Sequence, residues 1–184
     1  MKVNKYQALS KFTLPADYVN ERPAFLWFLW IIFGDLLVSS WLPGSFWRRL
    51  LLRLYGARVG IGVLIKPRVK IKFPWRLIIG NYSWIGENVW IDNLEWVSIG
   101  SDVCISQGCY LCTGNHDYRN ILFPYQLGKI DIDDEAWICA MVRISPSVRI
   151  GNGAVIEFAS VVCDSIPAGV VASGFPAIPK GSRL

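Results

Sequence analysis

The sequence predicts a mainly β protein: a parallel β-helix of about five hexapeptide-repeat coils, with an N-terminal helical segment and a long loop in the third coil. Three observations predict it. From Val59 an aliphatic residue recurs at every sixth position (Val59, Ile65, Ile71; Ile79, Ile85, Ile91; Ile99, Ile105, Leu111), and the series resumes with Ile132, Ile138, Ile144, Ile150, Ile156 and Val162. Four positions after most of these stands a second small or branched residue, as in Val63, Val69, Ser83, Val103, Ala136, Val148, Ala154 and Ser160. The spacing expands after Ile71, Ile91 and Leu111, so every insertion falls on the third side of a coil that starts at Val59. A period of six matches neither the helical 3.6 nor the alternation of a long strand. It matches short strands joined by turns, three to a triangular coil.

Residues 1–58 come first in the chain and lack the repeat. Ala24 to Leu42 is strongly apolar between Pro23 and Pro43, and its length is near the ~20 residues that cross a bilayer. Asp35 in its middle costs roughly 2.5–3.5 kcal/mol on insertion, and Gly34 beside it weakens a helix. Ser45 to Tyr55 reads as a basic amphipathic helix with Ser45 as its N-cap, setting Arg48, Arg49 and Arg53 against Phe46, Leu50 and Leu54. This segment covers the open end of the β-helix, or it meets the anionic face of a membrane with Trp27, Trp30, Trp41 and Trp47 at the interface. The two readings are not exclusive. Residues 59–167 are expected to form the coils, with an inserted loop at 112–131, and residues 168–184 to form a C-terminal tail. Gly60, Gly80, Gly86, Gly100 and Gly151, each just after a repeat position, are expected at corners that need a permissive backbone.

The formal charge of +5 is local. Residues 1–58 hold eight bases (Lys2, Lys5, Lys11, Arg22, Arg48, Arg49, Arg53, Arg58) against three acids (Asp17, Glu21, Asp35), and the remaining bases and acids cancel. A uniformly basic nucleic-acid binder is therefore not the reading. The five cysteines, an odd number, argue for a reducing compartment rather than a secreted disulfide framework. Cys109 and Cys112 have C-x-x-C spacing without a second pair, and His116 alone cannot complete a zinc site with them, so no metal is expected.

The chemistry concentrates in the long loop. His116 carries the ordinary side chain for taking a proton from a hydroxyl at neutral pH, and Asp117 is adjacent in sequence to orient the ring or hold its charge. A solvated turn histidine is the competing reading. No Ser-His-Asp, Walker or dinucleotide-binding signature competes elsewhere in the chain.

The hexapeptide register, the N-H-D-Y of the loop, Trp137-Ile138-Cys139-Ala140 after it and the V-I-E-F-A-S-V-V…G-F-P-A ending resemble the hexapeptide-repeat acyltransferases. Within them, the Trp-rich N-terminus, the W-R-R-L-L-L-R-L-Y-G-A-R-V-G stretch from Trp47 and the T-G-N-H-D-Y-R-N loop are similar to the colanic-acid-type exopolysaccharide O-acetyltransferases. The resemblance implies a left-handed β-helix, a homotrimer with active sites between subunits, and acetyl-CoA-dependent O-acetylation of a sugar hydroxyl in exopolysaccharide biosynthesis. It implies His116 as the general base with Asp117 in support. Trp137, Ala140, Ala159, Ser160, Gly174, Pro176 and Lys180 are the implied contacts to acetyl-CoA, and Asp92, Asn93 and Asn115 those to the saccharide acceptor. Two positions depart from the family pattern: Cys139 stands where glycine is usual, and Phe175 replaces a polar residue.

A lipid-linked acceptor gives a membrane-facing N-terminal segment a use, so the expected location is the cytoplasm, in association with the inner face of the membrane. Acetylation of a small soluble acceptor (a free sugar, an antibiotic or an amino acid) and a non-catalytic β-helix scaffold are the other readings. The γ-class carbonic anhydrases share the architecture but need three histidines, and one histidine excludes them.

Overall fold

The computed structural model describes residues 6–14 and 22–184. Lys2, Lys5, Asp17 and Glu21, counted above in the N-terminal charge, lie outside the described residues.

The repeat folds as three-sided coils. The first holds β1 (Arg58–Val59), β2 (Leu64–Ile65) and β3 (Lys70–Ile71). The second holds β4 (Leu77–Ile79), β5 (Trp84–Ile85) and β6 (Trp90–Asp92). The third holds β7 (Val97–Ile99), β8 (Cys104–Ile105) and β9 (Tyr110–Cys112), then a hairpin of β10 (Gly114–His116) and β11 (Tyr125–Leu127). β12 (Ile130–Ile132), β13 (Trp137–Ile138) and β14 (Arg143–Ile144) make the fourth coil. β15 (Arg149–Ile150), β16 (Val155–Ile156) and β17 (Val161–Val162) make the fifth. A sixth begins where Ile166 bridges Ile150 and β18 (Val170–Gly174) pairs with β16. β19 (Ala177–Ser182) then turns back antiparallel on β18. Residues 168–184, expected as a tail, thus extend one face of the solenoid.

Like sides stack into three parallel sheets: a first face of β1, β4, β7, β12 and β15, a second of β2, β5, β8, β13, β16 and β18, and a third of β3, β6, β9, β14 and β17. In each of the five coils the repeat residue turns inward. All fifteen aliphatic repeat positions from Val59 to Val162 are buried, in one continuous apolar core. The expansions stack on the corner between the third and first faces: a 3-10 turn at Pro74–Arg76, residues 93–96, and the β10–β11 hairpin.

The repeat glycines act differently from the expectation. None of Gly60, Gly80, Gly86, Gly100 and Gly151 has positive φ. The left-handed residue of each corner falls three positions after the repeat residue and is often not glycine, as at Arg68, Tyr82, Asn88, Asp102, Glu135 and Ala159. What the glycines permit is contact between coils. A Cβ on Gly80 would lie 2.5 Å from backbone atoms of Gly100 and Ser101, and one on Gly151 2.7 Å from the carbonyl carbon of Pro167.

The N-terminal helices cap the open edge of the first coil. α1 (Ala24–Leu29) runs through a π-helical turn (Trp30–Asp35) into α2 (Leu36–Val38), and α3 (Phe46–Leu54) follows. Among the described residues no helix is long and apolar enough to cross a membrane. Trp30, Val38 and Leu52 join the core. The unpaired edge of each face finds a partner in the cap. Arg53 donates to Val59 O (2.7 Å) on the first face and Arg49 to Val63 O (2.5 Å) beside the second. Ser45 Oγ donates to Ile65 O and accepts from Ile65 N (3.0 Å each), and Trp30 Nε1 donates to Ile71 O (3.2 Å) on the third. Satisfied edge groups remove the main cost of ending a solenoid. Ser45 does stand at the N-cap of α3, yet its hydroxyl serves the β-helix instead of the helix's own amides.

The basic side of α3 is turned inward, opposite to a basic membrane anchor. Arg48 is fully buried: Nε donates to Val38 O (2.9 Å), Nη1 to Gly44 O (2.6 Å), and Nη2 to Ser40 O and Leu42 O (2.7 Å each). Burial pushes the pKa of its guanidinium down. Phe46, Leu50 and Leu54 face outward instead. Trp30, expected at an interface, is buried, and Trp47 packs over the Arg48 guanidinium at 4.1 Å.

Candidate active site

His116 ends β10 and pairs with Tyr125 across the hairpin, so the expected loop is an ordered antiparallel ribbon. Its base is tied to the preceding coil by Thr113, whose hydroxyl donates to Asp92 O (3.1 Å) and accepts from Glu95 N (2.9 Å). Gly128 N closes the ribbon onto Thr113 O (2.9 Å). Aromatic rings enclose the imidazole. Phe123 stacks on it with centroids 4.2 Å apart, Tyr125 is tilted at 4.6 Å, and Phe12 meets it edge-on at 5.8 Å. Phe12 is held there by a short 3-10 turn (Leu9–Lys11) and by Ala8 N, which donates to Ile121 O (2.8 Å).

His116 Nδ1 lies 2.8 Å from the carbonyl oxygen of Phe123. A carbonyl only accepts, so Nδ1 carries the proton of the neutral ring and Nε2 keeps its lone pair. That is the tautomer a general base needs. Asp117 does not make the orienting contact: its carboxylate accepts from Arg119 N (3.0 Å) and its amide donates to Pro124 O (2.9 Å), which fixes the turn. Asn115 also acts locally, its Oδ1 accepting from His116 N (2.8 Å). The residues that set the ring, Phe12 and Phe123, were not anticipated. Phe12 lies at the other end of the chain, and Phe123 contributes a backbone carbonyl that no side-chain motif reveals.

On the adjoining third face, the Asp92 carboxylate lies 2.9 Å from Lys72 Nζ and accepts from the Tyr110 hydroxyl at 3.0 Å. Burial, then hydrogen bonds to Cys112 and Asp92, pushes the Tyr110 pKa up, so its hydroxyl stays a donor. Asn93 corrects its expectation. It is buried, its amide donates to Phe73 O (2.7 Å) and Arg76 O (3.1 Å), and its oxygen accepts from Phe73 N (3.0 Å). Both amide hydrogens are used, so Asn93 holds the corner together and has none left for an acceptor.

The remaining expected residues lie on another edge, between the second and third faces. Trp137 projects from β13, 45% exposed, with its indole N–H donating to Ser106 Oγ (3.1 Å). Ala140 follows at the corner, and Ala159 sits one coil on, its amide donating to Ala140 O (2.9 Å). Gly174 ends β18 at φ +108°, a conformation that favours glycine, with Phe175 and Pro176 exposed after it and Lys180 exposed on β19. Ser160 departs from this set: it is buried, donating to Glu157 O (2.7 Å) and accepting from Gly174 N (3.1 Å), so it fastens the last turn to the fifth coil. Cys139 is half-buried, and burial, followed by Glu157 and Cys104, raises its thiol pKa. Cys109, which donates to Cys139 O (3.1 Å), is pushed up to about 12, chiefly by burial. Neither sulfur is poised as a thiolate. Among the described residues no group of His, Cys, Asp and Glu could hold a metal ion.

No family model matches the chain. The sequence is 37% identical over 180 residues to the colanic acid biosynthesis acetyltransferase WcaF of Escherichia coli (strain K12), covering 97% of this chain and 98% of that protein. It is 30% identical over 137 residues to the galactoside O-acetyltransferase of the same organism, covering 70% of this chain and 65% of that protein. The fold is similar to the hexapeptide-repeat-containing acetyltransferase of Vibrio cholerae O1 biovar eltor complexed with acetyl-coenzyme A. The TM-score is 0.74 and the identity 25%, over 80% of this chain and 82% of that one. The protein is an acetyltransferase, and the chain belongs to the hexapeptide-repeat acetyltransferases.

Proposed function

We propose that the protein transfers the acetyl group of acetyl-coenzyme A to a saccharide hydroxyl in exopolysaccharide assembly, with His116 as general base. The contact from Nδ1–H to the Phe123 carbonyl carries this reading, because it leaves Nε2 free. A sugar hydroxyl is a poor nucleophile. His116 Nε2 takes its proton as the oxygen bonds to the thioester carbonyl carbon, and a backbone N–H bears the charge developing on the carbonyl oxygen. The imidazolium, still donating from Nδ1 to Phe123 O, returns the proton to the departing thiolate. Transfer is direct, since the raised thiol pKa of Cys139 argues against an acyl-enzyme there.

The donor fits the edge between the second and third faces. Trp137 offers an exposed indole to the pantetheine arm, Ala140 and Ala159 line the path with small side chains, Gly174 and Pro176 border it, and Lys180 is available to its phosphates. Asp92 and Asn115 stand nearer the hairpin, toward the acceptor. His116 and the donor edge leave different corners of one chain. A cleft between neighbouring subunits of a homotrimer joins them, and that supports the trimer. The location is the cytoplasm at the inner face of the membrane, where the acceptor is lipid-linked.

Similarity to the galactoside O-acetyltransferase favours a small soluble sugar as a second reading. Thiol release from acetyl-coenzyme A, with mass spectrometry of the product, separates the two on a panel of polysaccharide repeat units and free galactosides. Preferential acetylation of repeat units supports the first reading and turnover confined to free sugars the second. Release with none of them overturns both.

A further inference from the structure

We infer that the N-terminal cap is a docking surface for a lipid bilayer, with the α1–α2 helix and α3 seated among acyl chains and the cations of the first coil at headgroup level. The inference rests on the proposed meeting with a lipid-linked acceptor and names what makes the contact.

The helix from Ala24 to Val38 gives the rest of the protein one narrow stripe, Trp30, Gly34 and Val38, spaced four apart. Its other sides are apolar as well, with Phe25 67%, Phe28 56%, Phe33 56% and Leu36 68% exposed. Trp41 and Leu54 continue the surface at 71% and 72%. From Pro23 to Trp47 the one ionisable residue is Asp35, which faces the protein with Oδ1 buried beside Lys70. A helix that is apolar all round requires an apolar surrounding, whereas a rigid protein partner covers only one side of it.

Charge distinguishes a bilayer from a second copy of the chain. Residues 58–72 hold five exposed cations and no acid, Arg58, Lys66, Arg68, Lys70 and Lys72, of which Arg68 pairs with Glu87 (3.1 Å) and Lys72 with Asp92 (2.9 Å) in the next coil. They border the cap directly. Arg68 N donates to Ser40 O (3.2 Å), and Lys70 and Lys72 share a cleft with Ile31 and Asp35. Two copies joined end to end through their caps would oppose like collars, while phosphate headgroups complement them. The arginines of α3 are engaged with carbonyls, so the apolar contact does not depend on them.

Co-sedimentation of the full chain with vesicles tests this. We expect binding to pure phosphatidylcholine, strengthened by phosphatidylglycerol in a salt-sensitive way. Phe28→Asp and Leu36→Asp should each weaken binding to both by about tenfold or more. Lys66→Glu with Lys70→Glu should abolish only the increment from phosphatidylglycerol. Far-ultraviolet circular dichroism and turnover of a soluble saccharide establish that the variants are folded, and that turnover reports on the proposed reaction separately. Wild-type protein left in the supernatant with both vesicles overturns the inference, as do aspartate variants that bind like wild type. A smaller oligomer in those variants, with vesicle binding unchanged, assigns the surface to a second copy.

Discussion

Replacing Arg48 with leucine tests whether the cap is held by buried polar bonds. The side chain donates to four carbonyls, those of Val38, Ser40, Leu42 and Gly44, and is itself fully buried. The Val38 bond lies in the buried part of the contact, and an orphaned carbonyl there costs about 2 kcal/mol. The other three are part-buried and regain water, at about 0.5–1 kcal/mol each. Removing a desolvated cation offsets about 1 kcal/mol, for a net loss of about 2.5–4 kcal/mol. Urea unfolding followed by the fluorescence of the nine tryptophans measures it, with amide exchange locating the loss in residues 24–54. A shift below about 0.5 kcal/mol, the range of ordinary surface changes, with unchanged exchange in the cap, would mean that these bonds do not hold the cap.

Gly80→Ala should cost about 1–3 kcal/mol in the same assay, because its Cβ would meet the backbone of Gly100 and Ser101 at 2.5 Å. Cys139→Ala should keep acetyl transfer within about threefold of wild type, and intact mass after incubation with acetyl-coenzyme A should show no acetylated chain. Burial raises the folded-state pKa of Asp35 above its ordinary value, so the fold binds its proton more tightly than the unfolded chain. Its contribution is fully present below the unfolded pKa, near 3.8, and fades as pH rises through the folded one. Asp35→Asn should remove that fall, seen as a flatter stability profile just above pH ~4 than wild type shows. The single histidine gives one imidazole signal, whose nitrogen-15 shifts should report the Nδ1–H tautomer when the ring is neutral.

The solenoid was legible because burial repeats. Ile65, Ile85, Ile105, Ile138 and Ile156 stack on one face, and each obeys the same inward rule, so the period alone yields the register. The corner that carries the insertions was legible for the same reason. The orientation of α3 was not. Its arginines and leucines alternate as a membrane anchor's would, but the strand edges of the first coil offer carbonyls that attract guanidinium groups more strongly than solvent does. The role of the repeat glycines was misplaced, since the proximity of a neighbouring coil leaves no trace in local sequence. At the candidate site, His116 stands out in the sequence by its type and by its place in the longest insertion. What sets its tautomer, the Phe123 carbonyl, is a backbone group. Ser160 and Asn93 look like ligands by residue type, and only their partners assign them to holding the coils together.

The proposed reaction turns on Nε2 of His116 removing the acceptor's proton. Steady-state kinetics of His116→Ala and His116→Gln, with acetyl-coenzyme A and a saccharide acceptor, test it most directly. In both, kcat should fall by about 10²–10⁴-fold, with KM for acetyl-coenzyme A nearly unchanged. A kcat within about threefold of wild type in either folded variant would contradict it.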